Sequence, residues 1–381
     1  MRVLVVGGGI AGMATAIGLR RNTAGAVDVD VAELSGEPVG AAITMMNRAL
    51  DALGELGLYE ELASVGTVFQ ANDLHYFDAA GARLPGSFGA GQKPTAGSPA
   101  PSGPIGLALY RPQLAQLLST TAAQEGANLL PLGLTVAALD SNPSGVEVTF
   151  TDGGRASYDV VVGAEGIRST VRSHLFGDRY QPRFLGDLSL RLMVDSTGLD
   201  LQSGFHFSEG AMFVVAHLKN GLSYVFTAFS SDEIVFLDRA QAAARMRANT
   251  EHFTNPAMKT LRDRVRPDSD VVCRASQSLW IDEPWYRDRV VVIGDGAHTT
   301  TPHLASGGGM ALEDGVVLAA ELARADTPEE GLDRFYRRRY ERVADVVRTT
   351  SRLNELRLLG GGAEEAGRLR GRAFARLAEP Y

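Results

Sequence analysis

Residues 3–19 read VLVVGGGIAGMATAIGL, and no other stretch of the chain restricts the fold so tightly. The β-branched run Arg2–Val6 stops at glycine, as a buried parallel strand does. Ile10, Met13 and Ile17 then recur at helical spacing. Between them Gly7, Gly9 and Gly12 form a G-x-G-x-x-G pattern. It supplies a tight turn at Gly7, close backbone approach to a pyrophosphate at Gly9, and tight helix–strand packing at Gly12. The helix start at Ile10 and Ala11 turns free N–H groups and the positive dipole end on the same anion. Val27–Ala32 alternates Val and Asp like the second strand of a βαβ unit. Glu33 closes that strand about 20 residues past the last glycine, where a carboxylate accepts hydrogen bonds from ribose hydroxyls and repels a 2′-phosphate. The chain thus opens on a Rossmann-like α/β unit suited to a dinucleotide.

A second glycine-rich, strand-to-helix turn lies near the far end, in VVVIGDGAHTTTPHLASGGGMALEDG (Val290–Gly315). Asp295 ends the apolar run and suits a ribityl hydroxyl, with Gly294 and Gly296 permitting close backbone approach. Pro302 stiffens the following turn. Gly307, Gly308, Gly309 and Met310 then open a helix whose free N–H groups would face the N1–C2=O edge of a flavin, where negative charge gathers on reduction. Two such turns in one chain are explained by one long cofactor, FAD, gripped at its AMP end and at its ring.

The 381 residues allow two domains, or one domain with a large insertion. The net charge of −8 argues against nucleic acid as the main partner. Cys273 is the single cysteine, which excludes an intrachain disulfide or a cysteine metal site and fits a reducing, cytoplasmic setting. The opening apolar run lacks a cleavage-site pattern, and no stretch approaches the roughly 20 apolar residues of a membrane span. The expected partners are therefore small molecules, with no metal, nucleic acid or membrane, and the protein a monomer or homodimer. Helices are expected over Ala49–Ala63, Arg111–Glu125, Gln241–Phe253, Gly308–Arg324 and Gly331–Leu359, and a hairpin over Val146–Phe150 and Tyr158–Val162. Met212–His217, Tyr224–Phe229 and Ile234–Leu237 read as strands. The Gly-, Pro- and Ser-rich stretch Pro85–Pro104 is either a lid on the substrate side or a surface loop. The division that follows is a discontinuous nucleotide domain (1–72, 105–180 and 281–330), an inserted mixed-sheet domain (73–104 and 181–280) and a helical segment (331–381).

Three ordered motifs resemble the class A flavoprotein aromatic hydroxylases, the para-hydroxybenzoate or salicylate hydroxylase-like monooxygenases. They are VVGGGIAGMATAIGL with Glu33, VVGAEGIRSTVR (Val161–Arg172) and IGDGAHTTTPHLASGGGMALED (Ile293–Asp314). Smaller echoes are GAAITMMNRALDALGELGL (Gly40–Leu58) and YRPQLAQLL (Tyr110–Leu118). The resemblance implies that Arg111 contacts FAD from its helix start, and Val136 and Glu165 are placed in the same cofactor site. Glu165 stands where the family usually has Asp, and LSGEPV after Glu33 lacks a basic residue often found there. The implied cycle has NAD(P)H reduce FAD, O2 add at flavin C4a, and the hydroperoxide pass oxygen to an electron-rich substrate. No second strand–GxGxxG–helix unit occurs, so the reductant would bind transiently.

Substrate contacts are expected from the inserted sheet. Arg191, His206, His217 and Tyr224 are candidates to bind a phenolate or act as a base, each against an ordinary core or surface role. His298 is expected to be structural, whereas His303, beside Pro302, is a candidate to approach the flavin. The Arg-rich stretch Asp333–Arg348 has its apolar residues largely along one side and reads as a docking helix with a solvated face. The expected function is FAD-dependent, NAD(P)H- and O2-using hydroxylation of an aromatic or polyketide-like molecule. The alternatives are a flavin oxidoreductase without oxygen insertion and a non-catalytic flavin redox sensor.

Overall fold

Runs of valine that are apolar on both faces must be covered on both faces. Val3–Val6, Val160–Val162 and Val290–Val292 accordingly lie fully buried side by side. In the computed structural model, which describes residues 1–36, 40–70, 73, 75–87, 103–359 and 362–381, these runs centre a six-stranded sheet. Its order is Tyr286–Arg287, Val290–Val292, Val160–Gly163, Arg2–Val6, Asp28–Ala32 and Asn128–Leu129. All pairings are parallel except the edge pair Tyr286–Arg287 with Val290–Val292. The helices are α1 (Ile10–Asn22), α2 (Arg48–Glu55), α3 (Tyr59–Val65), α4 (Arg111–Gln124), α5 (Thr170–Phe176) and α6 (Arg239–Thr250). They continue as α7 (Pro256–Arg264), α8 (Asp295–His298), α9 (Gly307–Arg324), α10 (Pro328–Leu358) and α11 (Ala363–Ala378).

The two glycine turns open α1 and α9, and these two helices pack directly on one another. Glycine brings them close. A Cβ at Gly18 would stand 2.7 Å from the Ala319 side chain, and one at Gly315 would stand 2.6 Å from both the Ala11 carbonyl and the Ala14 Cβ. Helix α10 packs on α9 in turn, burying Phe335, Val343 and Val346 in the core shared with the six-stranded sheet.

The second sheet has seven strands in the order Val272–Ser278, Arg183–Asp195, Leu222–Ser230, Met212–His217, Gly204–Phe207, His75–Phe77 and Arg83–Ser87. Alternation sorts its side chains, as period two requires. Leu190, Leu192, Phe213, Val215 and Val225 form a core with α6 and α7. Arg191, Met193, Val214, Tyr224 and Phe226 share the other face, their strands paired Arg191–Phe226, Met193–Tyr224 and Val214–Phe226.

Several expected elements differ. Ala49–Ala63 is two helices, α2 and α3, broken at Gly57, whose φ of 59° no continuing helix adopts. The hairpin partner of Gly145–Phe150 is Arg155–Tyr158, and Val160–Gly163 belongs to the parallel sheet instead. Ile234–Leu237 forms no strand. Its Phe236 is 95% exposed, so β-type residues there found no neighbour to pair with. Of Pro85–Pro104, residues 88–102 lie outside the described residues.

The close crossing yields a paired expectation. Gly315→Val should destabilise the protein by about 1–3 kcal/mol through overpacking. Gly54→Ala, at a helical position with nothing within 4 Å of the added Cβ, should instead stabilise it by up to about 1 kcal/mol. Urea unfolding of both variants measures the difference in sign.

Candidate cofactor and substrate cleft

A cleft of about 730 Å3 runs from Gly7, Gly9 and Glu33, past Arg111 and Asp295, to Gly307 and Gly308. It continues to the inner face of the seven-stranded sheet at Arg191, Phe205, Val214, Tyr224 and Phe226. A larger groove of about 1660 Å3, lined by Phe236, Cys273 and Arg274, meets this cleft at Arg168 but contains neither glycine turn nor Asp295. The smaller cleft is therefore where the chemistry-bearing residues converge.

The glycines of the first turn differ in what requires them. Gly7 has φ 105° and its Cβ would lie 2.5 Å from the Ala164 carbonyl, while a Cβ at Gly12 would lie 1.9 Å from the Gly7 oxygen. Packing alone demands both. At Gly9 φ is −76°, and the nearest atom to an added Cβ is 4.0 Å away. The protein itself gives no reason for glycine there; a group seated closely against the backbone does. Glu33 already holds the turn, its carboxylate accepting from the N–H groups of Gly8 at 2.5 Å and Ser35 at 2.9 Å. Each carboxylate oxygen keeps a further lone pair for ribose.

The second turn is similarly prepared. Asp295 opens α8 and lines the cleft with no hydrogen bond to its carboxylate among the described residues. Although it is open to the cleft, desolvation by the surrounding protein raises its pKa, against the opposing charges of His298 and Arg111. Arg111, at the start of α4, lines the cleft too, and burial together with Arg191 lowers its pKa. The buried Ser306 hydroxyl has no partner among the described residues at the mouth of α9, where the Gly307 and Gly308 backbone faces the cleft. An unpaired hydroxyl, an unpaired carboxylate and open helix-start N–H groups fit a ribityl chain and a polar ring edge. With the room at Gly9, the cleft fits FAD from end to end.

Other expected cofactor residues sit further back. Met310 donates its N–H to Ser306 at 2.8 Å and buries its side chain, so it offers the cleft neither. A Cβ at Gly309 would press on Ala49 rather than on the cleft. Val136 lies in the core, and the adjoining Thr135 lines the cleft in its place. Glu165 lines the cleft, but its carboxylate accepts from the Ser169 and Thr170 hydroxyls and the Thr170 N–H, capping α5. Ile10, Ala11 and Pro302 all line it. Arg168, Thr300, Thr301 and Ser306 were missed by sequence reasoning, although all four stand inside the quoted motifs.

Of the substrate-side candidates, the expectation for His206 is corrected. It pairs with Phe213 on the face covered by α6 and α7, stacks on Phe77 and donates from Nε2 to the Gln202 carbonyl at 3.0 Å. Strand alternation turns it from the cleft. His217 is likewise used up, accepting from the Ser223 hydroxyl and donating to the Leu201 carbonyl. Tyr224 and Arg191 do face the cleft. Burial raises the Tyr224 pKa, opposed by Arg191. The Arg191 Nε is buried without a partner among the described residues. His303 lines the cleft as well, its Nδ1 lying 2.7 Å from the Thr301 hydroxyl. Burial, reinforced by Arg357 and Arg370, depresses its pKa to about 4.

Behind the second turn lies a buried ion network. Asp314 Oδ2 accepts from the Gly294 N–H at 2.9 Å and from His298 Nε2 at 2.5 Å, which gives His298 the structural role expected of it. Asp314 Oδ1 accepts from Arg339 Nε at 2.8 Å, and Arg339 also reaches Glu313 and the Met310 carbonyl.

These environments generate two expectations. Gly9→Ala should cost the apoprotein no more than about 1 kcal/mol at a helix start yet raise the Kd for FAD roughly tenfold or more by displacing the phosphate; flavin titration and thermal unfolding separate the two. Because the folded state holds His303 near 4 against the ordinary 6.5, the unfolded chain takes up the proton first as pH falls. Stability from this group is thus complete above the ordinary value and is lost between it and about 4. His303→Gln should unfold with a shallower pH dependence across that window in thermal melts.

Comparison with known proteins agrees with the geometry. The model of the FAD binding domain family matches residues 1–350. The chain is 28% identical over 366 residues to the FAD-dependent urate hydroxylase of Mycolicibacterium vanbaalenii, covering 91% of this chain and 86% of that protein. It is 29% identical over 376 residues to the 3-amino-4-hydroxybenzoate 2-monooxygenase of Streptomyces cremeus, covering 96% and 89%. Klebsiella pneumoniae HpxO, solved with FAD and uric acid, superposes with a TM-score of 0.81 over 99% of this chain and 96% of its own, at 22% identity. The chain therefore belongs to the FAD binding domain family, the flavoprotein hydroxylase family that its three motifs resemble.

Proposed function

We propose that this protein is an FAD-dependent monooxygenase that uses NAD(P)H and O2 to hydroxylate an aromatic or polyketide-like small molecule. The observation that carries the reading is the continuity of the cleft. The same space that fits FAD opens onto a wall made of Phe205, Val214 and Phe226, into which Arg191 and Tyr224 project. FAD held by Glu33, Arg111, Asp295 and the two glycine turns would, once reduced by NAD(P)H, supply activation of O2, one atom of which goes to the substrate and the other to water. The protein supplies binding, orientation and a site that excludes water. The flavoprotein hydroxylase relatives support this, being named for urate and 3-amino-4-hydroxybenzoate.

Each residue then has a task within its reach. Arg191, whose Nε lacks a partner among the described residues, takes the anionic or most electron-rich oxygen of the substrate. Tyr224 hydrogen-bonds the substrate from the adjoining strand, and its raised pKa keeps it a donor at neutral pH. His303 stays neutral because its pKa is depressed, and so offers a ring nitrogen that accepts a hydrogen bond from a phenol-type hydroxyl. The aromatic and aliphatic wall holds the ring. Oxygen transfer requires that this ring be rich in electrons, and an ionised hydroxyl makes it so.

Purified protein mixed anaerobically with NADH or NADPH should reduce its flavin faster when a substrate is present, and 18O2 should then label the product. Reduction with no labelled product would mean an oxidoreductase without oxygen insertion, and no reduction by either nucleotide would mean a sensor. Arg191→Met should raise KM for anionic aromatics by roughly tenfold or more, as loss of a charged hydrogen bond does, and leave neutral analogues much less affected. Equal effects on both would remove Arg191 from its role.

A further inference from the structure

The buried network behind the second glycine turn does not end at Arg339. Glu313 Oε2 accepts from both Arg339 Nη1 at 2.8 Å and Arg342 Nε at 3.1 Å. Arg342 then turns its other nitrogens to the far end of α11, donating to the carbonyls of Arg376 at 2.6 Å, Leu377 at 2.8 Å and Glu379 at 2.9 Å. All four charged side chains are 4% exposed or less. A continuous path of hydrogen bonds thus joins the peptide N–H of Gly294, beside Asp295, to the end of α11.

A second contact makes the same connection. Helix α11 packs on the turn Pro302–Leu304, which carries two residues of the cleft wall. Helix α11 lies beyond residues 1–350 matched by the family model, so that match assigns it no role.

We infer that Arg342 is a positioning residue that couples docking of α11 to the seat of the flavin. Each guanidinium in the path has one arrangement that satisfies every partner. Removing Arg342 takes a donor from three carbonyls, of which that of Arg376 keeps only the Glu379 N–H, and leaves Glu313 with a single cationic neighbour. With α11 loosened, Arg339 no longer has a fixed Glu313 to share with Asp314. The turn at Gly294 and the first turn of α9 then lose the brace that aims them into the cleft. Coupling of this kind is reciprocal. FAD must stabilise the docked α11 by the same factor by which docked α11 tightens FAD. The inference rests on the FAD site alone and is indifferent to whether oxygen is transferred.

Hydrogen exchange on the full chain, with and without FAD, tests this directly. In the flavin-loaded protein, amides of residues 363–378 should exchange roughly tenfold more slowly than in the flavin-stripped protein, the ordinary size of such couplings. Arg342→Met should weaken FAD by a similar factor and abolish the difference between the two states. Arg338→Gln serves as the control. Arg338 holds the Tyr381 carbonyl and Glu321 without touching Glu313, so its loss should loosen the chain end yet preserve the FAD-dependent difference. A merely structural Arg342 would lower thermal stability while that difference persisted. Equal exchange of α11 in loaded and stripped wild-type protein overturns the coupling even where Arg342→Met does not fold. So does a folded Arg342→Met that binds FAD within about twofold of wild type.

Discussion

The distance between the two ends of the cofactor seat is set by one contact, the crossing of α1 and α9. Each helix begins at one of the glycine turns, and each carries a glycine where the other presses closest, Gly18 against Ala319 and Gly315 against Ala11 and Ala14. Nothing larger than an alanine methyl stands between the backbones at these points. The helices therefore cannot slide without a clash, and their starts are held at a fixed separation. A long, thin ligand needs that property, because a shift at either end would be felt at the other.

Much of this was legible in the chain itself. The valine runs announced buried parallel strands, and the two glycine turns announced two grips. Asp295 and Glu33 stand where the motifs put them, on the cleft. What the sequence could not convey was which way a side chain faces. His206 and Tyr224 both sit on sheet strands among apolar neighbours, but only register separates them: His206 pairs with Phe213 in the helix-covered core, and Tyr224 with Met193 on the other side. Register depends on strands distant in sequence. The same applies to Met310, whose position in the third motif says nothing of how much of it the core absorbs, and to Val136. Ile234–Leu237 failed for a different reason. Its composition favours pairing, yet among the described residues it pairs with no strand, and propensity without a partner forms no sheet.

Four charged side chains are buried behind the flavin turn, which is an expensive choice. Such a group stabilises a fold less than well-packed apolar residues of the same volume would, and losing one partner is much more costly than losing all. Its usefulness lies in definition. An apolar core under α9 would accept several small rotations of the helix start, whereas Asp314, with accepting positions filled by Gly294, His298 and Arg339, accepts one. The Glu165 cap on α5 works in the same direction on the opposite wall. Its longer side chain reaches around to the Ser169–Thr170 segment, so the cleft there is bounded by a tied loop.

The pairing of the central sheet also dictates an order of events at the ribosome. Arg2–Val6 has its parallel neighbour at Val160–Gly163, and that strand in turn waits for Val290–Val292. Contacts separated so widely along the chain form slowly, and loop closure must precede them. Nearly three hundred residues must therefore emerge before the first motif can be completed by the third. The antiparallel strands of 183–278, by contrast, find one another within a short stretch. The sheet that faces the cleft is thus able to pair while the six-stranded sheet, although most of it is made first, still lacks Val290–Val292 and Tyr286–Arg287. During that interval the valine-rich segments are exposed, and chaperones or early flavin capture would guard against their association with other nascent chains.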